Sequence, residues 1–186
     1  MRPIHALAAV AAVAALAGTA YANLAPGAAA PMFTAKGAVA GKPITFTLAT
    51  QLKKGPVVVY FFPAAFTGGC NAEANAFAEA MPDFRKAGAT VVGLTAGNVD
   101  QLAKFSSEHC AGKFPVAVAT PDIIAGYDVR LMDKEGRPTN LTSRTSYVIA
   151  PDGKVLFTHT DMKPAEHISG TLAAVRKYHA DKPKRR

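Results

Sequence analysis

The chain has 186 residues and two cysteines, Cys70 and Cys110. Cys70 closes the stretch VVVYFFPAAFTGGC, which runs apolar, meets Pro63, and reaches the sulfur through Thr67, Gly68 and Gly69. From Cys70 onward Phe77, Met81 and Phe84 recur at spacings of four and three. The sulfur is therefore expected at or next to the first turn of a helix. Free backbone N–H groups there carry partial positive charge. A thiolate is stabilised in that field, so a thiol so placed is expected to titrate below its ordinary value of about 8.5. A sulfur so ionised is a nucleophile. Thr67, three residues before it, can aim its hydroxyl into the same space or simply cap the helix. Gly68 and Gly69 let the backbone turn tightly. Pro63 can wall the sulfur from water or merely end the strand.

The elements around Cys70 alternate. Residues 23–33 form a Pro/Ala/Gly lead-in, expected to be extended. KPITFTLAT reads as a strand after a turn at Gly41, and VVVYFF as a strand buried on both faces. The helix that follows contains Pro82, expected to kink or split it, and can end at Gly88. ATVVGLTA is the next strand. NVDQLAKFSSEHC reads as a helix capped by Asn98, with Leu102, Phe105 and His109 on one face. FPVAVA is a third strand. TPDIIAGY starts a helix with Thr120 as cap and Pro121 at its first position. TSYVIA and KVLFTHT form a hairpin about a Pro-Asp-Gly turn, and KPAEHISGTLAAVRKYHA closes as an amphipathic helix. This order predicts an α/β fold, a thioredoxin-like three-layer sandwich with a mixed central β-sheet.

Composition narrows the class. The chain is 49% hydrophobic with a formal net charge of +8. Residues 1–22 join Arg2 to an alanine-rich apolar run ending in Ala20-Tyr21-Ala22, the pattern of a secretory signal peptide removed after Ala22. The alternative, a membrane anchor, wants a longer apolar run. The expected organisation is thus a leader at 1–22, one domain at 23–180 and a basic tail at 181–186. The tail reads as a solvated end, and no nucleic-acid motif accompanies it. After cleavage no stable membrane insertion is expected. Export, in a bacterial chain to the periplasm, puts both cysteines where disulfides persist.

Pro63, Thr67 and Cys70, in the spacing Pro-x-x-x-Thr-x-x-Cys, resemble the active-site signature of the peroxiredoxins. CNAEANAFAEAMPDFRKAGATVVGLTA, GYDV and SRTSYVIAPDGKV extend the likeness over nearly the whole domain, and it is greatest to the peroxiredoxin Q, or bacterioferritin-comigratory-protein, type. The resemblance implies a thiol peroxidase with Cys70 as peroxidatic nucleophile. It implies Arg144 as the residue that stabilises the thiolate and holds the peroxide, with a surface ion pair as its alternative. Thr67 would orient the peroxide and Pro63 shield the sulfur. Glu73 stands where such proteins often carry a glutamate that supports the site, although an acid in a first helical turn needs no function. Phe66 would be pocket wall. The substrates implied are hydrogen peroxide and organic hydroperoxides. The implied reductant is a thioredoxin-like protein or a small thiol. The protein is expected to be a monomer without cofactor or metal.

The sequence departs from the family at Asn75, where many peroxiredoxin Q proteins place a resolving cysteine. Cys110 matches the later position used by other members, which implies an intramolecular disulfide with Cys70. That bond needs Cα atoms within about 7 Å, so the first turn at Cys70 and the last turn at Cys110 are expected to unwind during turnover. A structural Cys70–Cys110 disulfide and a lone buried cysteine remain alternatives. Two other functions share the fold. An exported thiol-disulfide oxidoreductase or redox-binding protein wants Cys-x-x-Cys, and Thr67 occupies the first of those positions. A copper-delivery protein wants a second nearby cysteine, which CNAEAN lacks.

Overall fold

The computed structural model describes residues 23–181. The leader at 1–22 and all but the first residue of the basic tail lie outside the described residues. In chain order the elements are β1 (Thr34–Val39), β2 (Lys42–Thr47), α1 (Leu48–Leu52), β3 (Val57–Phe61), α2 (Gly68–Lys86), β4 (Thr90–Thr95), α3 (Leu102–Glu108) and β5 (Val116–Val118). They continue with α4 (Pro121–Tyr127), β6 (Arg130–Met132), β7 (Pro138–Thr142), β8 (Thr145–Ile149), β9 (Val155–Thr160) and α5 (Ala165–Ala180).

A seven-stranded sheet in the order β2-β1-β5-β4-β3-β8-β9 forms the middle layer. β3, β4 and β5 are parallel, while β1, β2, β8 and β9 join antiparallel. Side chains alternate faces along a strand, and β3 is apolar on both. Val57, Val59 and Phe61 enter one core with Leu48 and Leu52 of α1 and Ile123, Ile124 and Tyr127 of α4. Val58 and Tyr60 enter the other, with Phe77 and Phe84 of α2, Leu102 and Phe105 of α3, and Val175 of α5. Helices on both faces of a mixed sheet make the three-layer sandwich that the order of elements predicts.

Several local expectations are corrected. The strand reading of KPITFTLAT ends at Thr47, because Leu48 and Leu52 bury one face of a short helix instead. β1 has no counterpart in the sequence reading. It pairs with β2 through a two-residue turn in which Ala40 (φ 49°) and Gly41 (φ 75°) are both left-handed, as a type I′ hairpin requires. The β6–β7 hairpin was likewise not anticipated. Pro82 does not split α2. Its missing N–H leaves the carbonyl of Ala78 without a helical donor, and Lys113 Nζ donates to that oxygen at 3.0 Å. Asn98 is no side-chain cap: it is left-handed (φ 55°), and its Nδ2 donates to Ala65 O at 2.8 Å. Thr120 does cap α4, accepting from Ile123 N, with Pro121 at the first position. The Pro151-Asp152-Gly153 hairpin forms, with Gly153 at φ 81° and Lys154 N donating to Asp152 Oδ1.

Candidate active site

β3 ends at Phe61, and the chain then follows the β4 side of the sheet. Ala64 bridges Gly97, and Pro63 O accepts from the Thr95 hydroxyl at 3.0 Å. The turn into α2 is made at Phe66, a non-glycine residue at φ 61°. Such a residue costs about 1–3 kcal/mol and persists only where its surroundings hold it. Here the ring packs edge-on against Phe105 and His109, and Asn98 ties down the carbonyl of Ala65. The glycines do not make the turn, contrary to the sequence reading, since neither has a positive φ. Gly69 serves another purpose. A Cβ there would lie 3.1 Å from Arg144 Nη2, so its absence lets the guanidinium approach the helix start. A Cβ on Gly68 would meet nothing within 4 Å.

Cys70 is the third residue of α2, within the turn whose N–H groups lack helical partners. It is 2% exposed. Thr67 is exposed and precedes the helix, but its side chain does not cap it. Its hydroxyl donates to Ala64 O at 3.0 Å instead.

Arg144 comes from the far side, immediately before β8. Its side chain is 4% exposed and fully engaged. Nη2 donates toward Cys70 Sγ at 3.5 Å, Nη1 to Glu73 Oε2, and Nε to Met162 O at 3.0 Å. The surface ion-pair alternative for Arg144 is therefore excluded. Glu73 is fully buried. Burial raises its carboxyl to about 8, against the lowering by Arg144. Its Oε1 has no hydrogen-bond partner and lies 3.9 Å from His167 Nδ1.

Cys110 lies just beyond α3, after the cap residue His109, and is fully buried among apolar side chains. Both cysteines are free thiols, not a disulfide. Burial pushes the Cys110 thiol far up, so it is protonated in this conformation. The backbone beyond it is left-handed at Ala111 (φ 49°) and Gly112 (φ 64°). Asn75, on α2, is exposed.

The structure thus brings Pro63, Thr67, Cys70, Glu73 and Arg144 to one end of the sheet. Cys110 shares the same apolar core as Cys70 without a bond to it. The sequence reading did not single out His167, Ser146 or the Met162 carbonyl. A histidine in register with Thr171, Leu172 and Val175 on the buried face of α5 was the available signal for the first. Among the described residues no His, Cys, Asp and Glu group has metal-binding geometry. An apolar groove between β9 and α5, lined by Leu156, Phe157, Ala174 and Tyr178, involves none of the site residues.

A family model described as AhpC/TSA matches residues 26–158. Chloroplastic peroxiredoxin Q of Sedum lineare is 34% identical over 158 residues, which cover 82% of this chain and 78% of the relative. The crystal structure of peroxidoxin BcpB from Mycobacterium tuberculosis aligns at a TM-score of 0.73 and 28% identity, over 86% of this chain and 99% of that one. A bacterioferritin comigratory protein from Xanthomonas campestris, described in terms of its alkyl peroxide reduction activity, aligns at a TM-score of 0.66 and 26% identity, over 78% and 92% of the two chains.

Proposed function

The chain belongs to the AhpC/TSA family, in its peroxiredoxin Q branch, and is a thiol peroxidase; from that premise we propose that Cys70 is the sulfur that peroxide oxidises. The observation that carries this reading is the convergence on one buried sulfur of a helix start and the Arg144 guanidinium at 3.5 Å. Both favour negative charge on sulfur. The Cys70 thiolate attacks one peroxide oxygen, the O–O bond breaks, and the other oxygen leaves as water or alcohol after taking a proton. Cys70 becomes a sulfenic acid. Arg144 stabilises the charge as it moves to the leaving oxygen. The Thr67 hydroxyl spends its proton on Ala64 O, so its oxygen accepts from the O–H of the peroxide. Pro63, half-buried at the end of β3, shields the sulfur.

Cys110 then resolves the oxidised state: its sulfur attacks Cys70, expels the hydroxyl oxygen as water, and forms the intramolecular disulfide. A buried, protonated thiol does not do this from its resting place. The Cys110 side chain must come out of the core by local opening of His109–Gly112, which the left-handed backbone at Ala111 and Gly112 and the short parent helix support. A thioredoxin-like protein or a small thiol restores both thiols. Hydrogen peroxide and organic hydroperoxides are both substrates, and the protein works as a monomer. Residues 1–22 are a cleaved leader that delivers it across the inner membrane to the bacterial periplasm. N-terminal sequencing of the exported protein should begin at Asn23, and a full-length cytoplasmic chain would overturn that part.

The reaction is tested with the reduced mature chain and its C70S and C110S variants. Wild type should consume peroxide repeatedly with thioredoxin and yield a Cys70–Cys110 disulfide by mass. C110S should consume about one equivalent by the thiol stoichiometry and then stall. Normal turnover of C110S with thioredoxin would remove Cys110 from the mechanism.

A further inference from the structure

One fully buried histidine near the site takes no part in the reaction as written: His167, in the first turn of α5. Each of its connections ends beside Arg144. Nε2 lies 2.8 Å from Asp161 O. A peptide oxygen only accepts, so Nε2 carries the ring proton. The next carbonyl along, Met162 O, is the one that accepts from Arg144 Nε at 3.0 Å. Nδ1 is left as an acceptor and lies 2.8 Å from Ser146 Oγ, whose hydroxyl donates to it. Ser146 stands two residues after Arg144, on the same face of the sheet. Through space, Nδ1 is 3.9 Å from Glu73 Oε1, while Glu73 Oε2 takes Arg144 Nη1. The edge-on ring of His159, 4.7 Å away, closes the remaining side. Burial lowers His167 to about 4, so the ring stays neutral and this tautomer holds at physiological pH.

Arg144 has a long side chain with roughly 2 kcal/mol of rotamer entropy, and two acceptors, Glu73 and Cys70, compete for its fork. The same imidazole holds a peptide oxygen, Asp161 O, on one side of it and a side-chain hydroxyl, Ser146 Oγ, on the other. Resting on the reading that Cys70 is the reacting sulfur, we propose that His167 is a positioning residue for the peroxidase reaction: it braces the Asp161–Met162 segment and Ser146 so that the Arg144 guanidinium stays turned toward Cys70.

The test uses the whole mature protein with His167→Leu, which removes both hydrogen bonds, and His167→Gln, whose amide N–H reaches about as far as Nε2 and keeps the bond to Asp161 O. Two rates are read at pH 7: oxidation by hydrogen peroxide, and alkylation of Cys70 by iodoacetamide followed by peptide mass. H167L should lose at least about tenfold in both, and H167Q should recover to within about threefold of wild type. Circular dichroism confirms the fold of each. Wild-type rates in a folded H167L, or no recovery in H167Q, would overturn the proposal. If H167L does not fold, Ser146→Ala supplies the answer without disturbing α5: a drop of about threefold or more in both rates supports the brace, and unchanged rates refute it. The two arms separate the readings. A wild type inert to peroxide but with alkylation that follows the His167 series would sink the peroxidase role of Cys70 and leave the brace standing.

Discussion

Cys70 and Cys110 are the same residue at nearly the same depth, 2% and 0% exposed, yet the chain surrounds them differently. Cys70 is the third residue of a 19-residue helix and has a guanidinium within hydrogen-bond reach. Cys110 follows a seven-residue helix and faces an apolar core, with burial alone acting on its thiol. Burial by itself protonates and silences a thiol. What distinguishes a reactive buried cysteine is a fixed positive partner that arrives with it. Gly69 matters for that reason, because a side chain there would crowd Arg144.

The comparison breaks most sharply by exchanging the sulfurs for oxygen. C70S should reduce peroxide consumption to the uncatalysed background, while C110S keeps its first turnover and loses the later ones. Next in size is Arg144→Lys. It keeps a charge but loses the fork that serves Cys70, Glu73 and Met162 together, and the peroxide rate should fall by about 10²-fold. A smaller effect sharpens the contrast in one molecule: under native conditions iodoacetamide should label Cys70 at least about tenfold faster than Cys110, and the two should converge in denaturant.

The smallest effect is on stability. Glu73 titrates near 4.5 when unfolded and about 8 when folded, so the folded state holds an extra proton between those values. Its contribution is full below pH 4.5 and is lost as pH rises toward 8. His167 has the opposite sign: lowered from 6.5 to about 4, it contributes fully above 6.5 and is lost as pH falls through 4. Between 4.5 and 6.5 the two slopes cancel; from 6.5 to 8 only that of Glu73 remains. Thermal midpoints of the wild type should decline over pH 6.5–8, and Glu73→Gln should flatten that decline. An unchanged decline in E73Q would show that Glu73 does not hold this proton.

Much of this was legible in the sequence, for identifiable reasons. VVVYFF announced a central strand because every residue is apolar and both faces are covered. Thr120-Pro121 announced a helix start because cap and first-position proline act locally. Pro63, Thr67 and Cys70 were named from type and spacing, Arg144 and Glu73 only through the family resemblance that this spacing brought with it. What escaped depends on distant partners. β1, TAKGAV, has too weak an alternation to be read without β2 and β5 beside it. Pro82 is tolerated because Lys113, 31 positions later in the sequence, serves the carbonyl it orphans. Phe66 was read as pocket wall, and its left-handed turn, which rings from α3 and its cap hold in place, was not read at all. His167 joins the site only once α5 packs on β8, a contact between segments about twenty residues apart.

The most direct measurement is to trap the first oxidised sulfur. Reduced C110S and C70S are each given one equivalent of hydrogen peroxide with dimedone present, and the adduct is located by peptide mass. The account predicts a stoichiometric adduct on Cys70 in C110S and none on Cys110 in C70S. An adduct on Cys110 at a comparable rate, or none on Cys70, would contradict it.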